Sequence, residues 1–269
     1  MTVWEALILG VVQGMTEFLP ISSTGHVVIA QRLLGVGDGA LAFATVVHLG
    51  SLAAVVGVFR EELLLMARAL VARRAAERAA GLRLLALLVL ATLPIVVVGL
   101  TVRDAVESAF ASPLVPPVMF ALTGVLLWSA DARQRRAEER EPGGRHALWM
   151  GLGQAAAVLP GLSRSGTTLA VGVWAGLSRE AAARFSFLMS IPTLLGAAVL
   201  ELPEALAGSA GEAALGPGVV VAGVLASAAA SYAAIAFLLR FLQRGRLLPF
   251  ALYAWAFSLL AFVLAFTGC

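Results

Sequence analysis

Two short polar stretches hold most of the chemistry this sequence can offer: "EFLPISSTGH" (Glu17–His26) and "PGLSRSGTT" (Pro160–Thr168). Arg164 presents a planar guanidinium that matches phosphate oxygens and stays charged. The hydroxyls of Ser22, Thr24, Ser163, Ser165 and Thr168, with backbone N–H groups of glycine-containing helix starts, add donors for the same anion. Ser23 and His26 are three residues apart, close enough for an imidazole to act on a serine proton. Gln13 and Glu17 are four apart and share a helical face. They offer hard oxygen ligands suited to Mg²⁺ or Ca²⁺, which reach proteins through few carboxylates plus phosphate. The set points to phosphoryl chemistry with a divalent cation. The competing reading is structural: Glu17 and Arg164 as a salt bridge pinning two loops together.

These residues must be positioned by a very apolar chain. Of 269 residues, 60% are hydrophobic and 13% charged, and the mean hydropathy is +0.94. A soluble domain of this length needs more charge on its surface. Long continuous apolar runs exclude a membrane β-barrel, whose strands alternate. The fold class expected is an all-α polytopic membrane protein. The single cysteine, Cys269, excludes a disulfide framework and a thiolate metal cluster. No Lys or Arg precedes Arg32, so a cleavable signal peptide is not expected.

Six runs are long enough to cross a bilayer, at roughly 20 residues each: Ala40–Phe59, Leu82–Val102, Pro113–Ala130, Arg184–Leu202, Val219–Leu239 and Leu247–Phe266. All 19 basic residues are arginine, and 16 of them lie in Arg60–Arg83, Arg133–Arg145, Arg179–Arg184 and Arg240–Arg246. These loops alternate with Arg-poor ones around Asp38, Arg103–Ser112 and Pro203–Gly218. The positive-inside rule puts the arginine-rich loops in the cytoplasm.

Trp4–Phe18 and Ala147–Leu159 are too short to span, at about 22 and 20 Å as helices, before Pro20 and Pro160 stop them. Each runs into a polar loop and a second short apolar run, His26–Leu34 and Thr168–Leu177. Both read as re-entrant helix–loop–helix hairpins, tolerated at membrane depth only when buried or lining a wet cavity; the alternative is a kinked full span. Gly10, Gln13, Ser22 and Gly25 fall on Gly151, Gln154, Ser163 and Gly166 at a constant offset of 141. With three spans between the copies, the expectation is an inverted-topology repeat, residues 1–130 and 146–269, joined by an Arg-rich loop, 131–145. In such folds the broken helices converge on the functional site.

A charge at the bilayer centre costs roughly 2.5–3.5 kcal/mol, so Glu17 and Arg164 need partners or a ligand. His48, in "VVHLGS", reads as a hydrogen-bonded packing residue, His146 as a solvated loop residue, and Glu201 as a residue at a span end reaching water. Trp4, Trp149 and Tyr253 read as anchors or packing residues. The arginine clusters read as topology determinants with attraction to anionic lipid.

"GVVQGMTEFLPISSTGH" (Gly10–His26) and "PGLSRSGTT" together resemble the two signatures of the bacterial undecaprenyl-diphosphate phosphatases linked to bacitracin resistance. "FSFLMSIP" (Phe185–Pro192) and "LLPFALYAW" (Leu247–Trp255) extend the similarity over most of the chain. The resemblance implies removal of the terminal phosphate of undecaprenyl diphosphate, which recycles the lipid carrier for peptidoglycan synthesis. It places the metal-associated acidic motif on Gln13 and Glu17, a serine nucleophile on Ser23 with His26 beside it, and the phosphate-binding arginine on Arg164. It also implies a plasma-membrane protein with its site open to the outer face. The partners expected are a polyprenyl diphosphate, membrane lipid and, as an open alternative, a second copy in a homodimer; no nucleic acid is expected. Gln13 stands where many relatives carry Glu, and Ala44 where relatives often have an acid. A different class, a transporter or flippase of the carrier lipid, fits the same repeat, and a membrane scaffold would leave the polar cluster unexplained.

Overall fold

The structure, a computed structural model, describes residues 1–36, 40–102, 106, 108–109, 112–133, 141–208 and 215–267, the side chains of 40–41, 201–208 and 267 excepted. The expected loop around Asp38, most of Arg103–Ser112, the middle of the 131–145 linker, residues 209–214, the Glu201 side chain and Cys269 lie outside the described residues. Eleven helices are described: α1 (Val3–Phe18), α2 (Ser23–Leu33), α3 (Ala40–Val58), α4 (Arg60–Ala69), α5 (Ala75–Thr101), α6 (Val115–Arg133), α7 (Gly144–Ala156), α8 (Arg164–Ala175), α9 (Arg179–Gly208), α10 (Pro217–Leu242) and α11 (Leu248–Thr267).

Helices α5, α6, α9, α10 and α11 are long and apolar enough to cross a membrane, and α3 with α4 makes a sixth candidate. The protein is therefore an all-α polytopic membrane protein. Two differences from the expected spans have local causes. At Phe59 the chain bends by 72° into α4 instead of entering a loop. Helix α4 carries Glu61 and Glu62 in its first turn and Arg68 in its last, which suits the helix dipole, and it buries Met66 and Ala69. Helix α5 starts at Ala75 and α9 at Arg179, several residues before their apolar runs, because their arginines are helical.

The two short helix pairs form as expected, α1 with α2 and α7 with α8. Helix α1 opens with a capping box, in which Glu5 N–H donates to Thr2 Oγ and Thr2 N–H to Glu5 Oε2. It ends at Leu19, which Pro20 holds extended. Helix α8 starts on Ser163, whose hydroxyl accepts from Gly166 N–H at 3.1 Å. It ends at Gly176, in the left-handed conformation with φ 117°.

Helix α1 lies deep against α10. Gly14 lets the α1 backbone rest on the Ser227 carbonyl, where a Cβ would clash. Beside this contact Ser231 Oγ donates to Ser51 Oγ at 2.9 Å, and Ser51 also bonds Ser227 Oγ at 3.1 Å, tying α3 to α10. Below the loops, Phe18 meets Phe187 edge-on at 5.3 Å, within a core that includes Leu127, Met150 and Met189. Gly161 holds φ 92° in the α7–α8 loop, and its α-carbon sits against the Pro116 carbonyl. Only glycine fits that turn.

His146 differs from its expected place in solvent. It is buried, and its Nδ1 accepts from the Gly143 N–H at 3.0 Å, capping the start of α7. The clustered arginines are partly committed to carboxylates: Arg179 to Asp131 at 2.7 Å, and Arg184 to Glu62 at 2.5 Å.

Candidate active site

Helices α2 and α8 both begin at one small cavity, of about 130 Å³, lined by Glu17, Ser22, Ser23, Thr24, His48 and the loop Ala157–Ser165. Two helix N-termini there give a positive local field and suit an anion. The cavity is smaller than the roughly 300–1,000 Å³ of drug-sized sites, a size that suits a small polar group.

Glu17 is the hub. Its Oε1 accepts from Arg164 Nη2 at 2.5 Å. Its Oε2 accepts from Ser23 Oγ at 2.6 Å and from Gln13 Nε2 at 3.0 Å. The structural salt bridge and the chemical cluster are thus the same object. Arg164 Nη1 is buried and has no protein hydrogen-bond partner among the described residues. One edge of the guanidinium holds Glu17, and the donors on this nitrogen are unspent.

Ser23 owes its position to an unusual turn. Ser22 has φ 67°, the one positive-φ residue other than glycine among the described residues. Such a conformation costs of order 1–3 kcal/mol and persists only when its surroundings hold it. Here it starts α2 at Ser23 with the hydroxyl on Glu17.

Several of the expected site residues make other contacts. His26, expected to move the Ser23 proton, faces elsewhere. Its Nδ1 donates to the Ser22 carbonyl at 2.7 Å and its Nε2 bonds the Tyr253 hydroxyl at 2.7 Å. The imidazole lies flat on Phe257 at 3.9 Å and does not line the cavity. The group in reach of the Ser23 proton is Glu17. Thr168, expected on the phosphate, is fully buried behind the cavity, donating to the Arg164 carbonyl at 2.8 Å and bonding Ser186 Oγ at 2.6 Å. Ser163 and Ser165 line the cavity, but Ser163 caps α8, and Ser165 donates to the Leu19 carbonyl at 2.9 Å, stapling the two loops together. Ser22 and Thr24 line the cavity as expected, Thr24 being exposed at its mouth.

His48, expected as a hydrogen-bonded packing residue, makes such a bond and also faces the cavity. Its Nδ1 donates to the Ala44 carbonyl at 2.6 Å, and its Nε2 faces Glu17 Oε2 at 3.7 Å inside the cavity. The available signal was its depth, since an ionisable group within a membrane span is a site residue by default. Thr123, whose hydroxyl accepts from Ser163 N–H at 3.1 Å, had no signal.

For the expected divalent cation, both Glu17 oxygens already accept hydrogen bonds, and Gln13, which is absent from the cavity lining, turns its amide N–H to Glu17 and leaves its Oε1 buried without a protein partner among the described residues. No three His, Cys, Asp or Glu side chains converge as metal ligands among the described residues.

The chain matches the family described as bacitracin resistance protein BacA over residues 6–260. It is 43% identical over 265 residues to a protein of Rubrobacter xylanophilus named undecaprenyl-diphosphatase, covering 95% of this chain and 96% of that one. A protein of the same name from Carboxydothermus hydrogenoformans is 36% identical over 269 residues, covering 100% and 99%. Another, from Methanobrevibacter smithii, is 38% identical over 283 aligned positions, covering 98% of each.

Proposed function

The chain belongs to the bacitracin resistance protein BacA family, and on that premise we propose that it hydrolyses the terminal phosphate of undecaprenyl diphosphate. The products are undecaprenyl phosphate, returned to cell-wall precursor synthesis, and inorganic phosphate. The observation that carries this reading is the arrangement around Glu17: a serine hydroxyl at 2.6 Å on one oxygen and Arg164 at 2.5 Å on the other, beside a headgroup-sized cavity.

The terminal phosphate sits against Arg164 Nη1 and the N-termini of α2 and α8, which are preorganised for charge developing on its oxygens. Ser23 Oγ attacks phosphorus while its proton passes to Glu17 Oε2. The bond from phosphorus to the bridging oxygen breaks, and undecaprenyl phosphate leaves with that oxygen. A water then attacks the phosphoserine, and Glu17 returns its proton to Ser23 Oγ as inorganic phosphate departs. Gln13 holds Glu17 in place throughout. Mg²⁺ or Ca²⁺ is proposed to arrive on the diphosphate itself, where it would offset the charge of the phosphates. The protein lies in the bacterial plasma membrane with its Arg-rich loops cytoplasmic and the cavity toward the outer face, the two hairpins forming an inverted repeat. The 16 clustered arginines support that orientation.

The test is phosphate release by purified protein in detergent given undecaprenyl or farnesyl diphosphate with Mg²⁺ or Ca²⁺. Steady release is expected. None under any divalent cation, with lipid movement across vesicles instead, would place the chain among lipid transporters.

A further inference from the structure

His26 sits three residues after Ser23, yet its ring is committed to a path that leads away from the cavity. The Ser22 carbonyl can only accept, so the proton on Nδ1 is fixed there. Nε2 of the neutral ring is then a bare lone pair, and the Tyr253 hydroxyl at 2.7 Å must donate to it. Tyr253 stands on α11, 227 residues away in sequence. Its ring is nearly parallel to the imidazole, with Phe257 stacked on the same side-chain group at 3.9 Å and Phe120 meeting the imidazole edge-on. A donor on Nε2 polarises the ring and strengthens the bond from Nδ1.

What this ladder holds is the Ser22 carbonyl, and Ser22 carries the positive φ that brings Ser23 onto Glu17. We propose that Tyr253 is a positioning residue for the phosphoryl-transfer step, acting through His26 on the Ser22 turn, and that His26 is its relay and not a proton carrier. Neither Tyr253 nor His26 lines the cavity, so neither touches the phosphate. The ladder fixes the tautomer of His26, the imidazole fixes the carbonyl, and the carbonyl fixes where the Ser23 hydroxyl stands. The proposal rests on the phosphatase reading above.

The experiment is steady-state kinetics of the full chain in detergent on farnesyl diphosphate, for wild type, Tyr253→Phe, His26→Asn and His26→Ala, with thermal unfolding of each. Tyr253→Phe keeps the aromatic stack and loses one hydrogen-bond donor. Its kcat is expected to fall about tenfold with KM within about twofold of wild type, since no phosphate contact is lost. Asparagine can place an amide N–H where Nδ1–H stood. His26→Asn is therefore expected to recover most of the turnover that His26→Ala loses. An unaltered kcat in Tyr253→Phe overturns the proposal, and so does a folded His26→Asn as inactive as His26→Ala. If His26→Ala does not fold, Tyr253→Phe still decides. Wild type in the same assay separates the two levels: silence there defeats the phosphatase reading, whereas an active wild type with an indifferent Tyr253→Phe defeats only this one.

Discussion

Glu17 touches more of the site than any other described side chain, because it joins the two loops and also takes the Ser23 hydrogen bond. Its replacement by Gln keeps the shape and removes both the charge and the proton acceptor. We expect Glu17→Gln to lower kcat by about 10²–10⁴, the usual range for a lost general base, with a smaller change in KM. A kcat within about threefold of wild type would show that Ser23 does not use Glu17. Wild type probes the cation. If Mg²⁺ or Ca²⁺ travels with the diphosphate, chelation abolishes wild-type turnover while calorimetry finds no tight binding to the protein alone. The residue types of this site were legible in the sequence; their pairings were not. Ser23 and His26 are close in sequence, but the left-handed turn at Ser22 sends the hydroxyl and the imidazole to different neighbours. His48 read as a packing residue for the opposite reason. Nothing near it in sequence is polar enough to mark a site, and its neighbour Glu17 arrives from another helix.

At the scale of elements, the site depends on how closely α1 approaches α10. The Gly14 contact with the Ser227 carbonyl fixes the height of Glu17, one turn further along α1. Gly14→Val must push the helices apart, and overpacking of this kind costs about 1–3 kcal/mol or more. We expect a lower unfolding temperature in detergent together with reduced turnover; a variant as stable and active as wild type would show that α1 has slack. The short helices were legible because proline and length bound them: a 16-residue α1 before Pro20 cannot span. Helix α4 was not, since six arginines in Arg60–Arg83 read as a loop. Its amphipathic packing is a tertiary effect, with Met66 and Ala69 buried against the neighbouring helices.

At the scale of the whole molecule, apolar runs broken by arginine clusters announced a multi-pass helical protein, and the spans follow those runs within a few residues at most ends. The direction in which they cross is a separate claim. In a Cys269→Ser background, single cysteines near Gly208 and Arg136 are expected to label from opposite sides of the membrane; labelling from one side would overturn the topology. What the fold accomplishes is to carry one loop from each half of the chain to a shared cavity, so that a serine and an arginine 141 residues apart meet on one carboxylate. The most direct test of that account is phosphate release from farnesyl diphosphate by folded Ser23→Ala measured beside wild type. Turnover lower by about a thousandfold or more is the predicted result, and turnover close to wild type would contradict it.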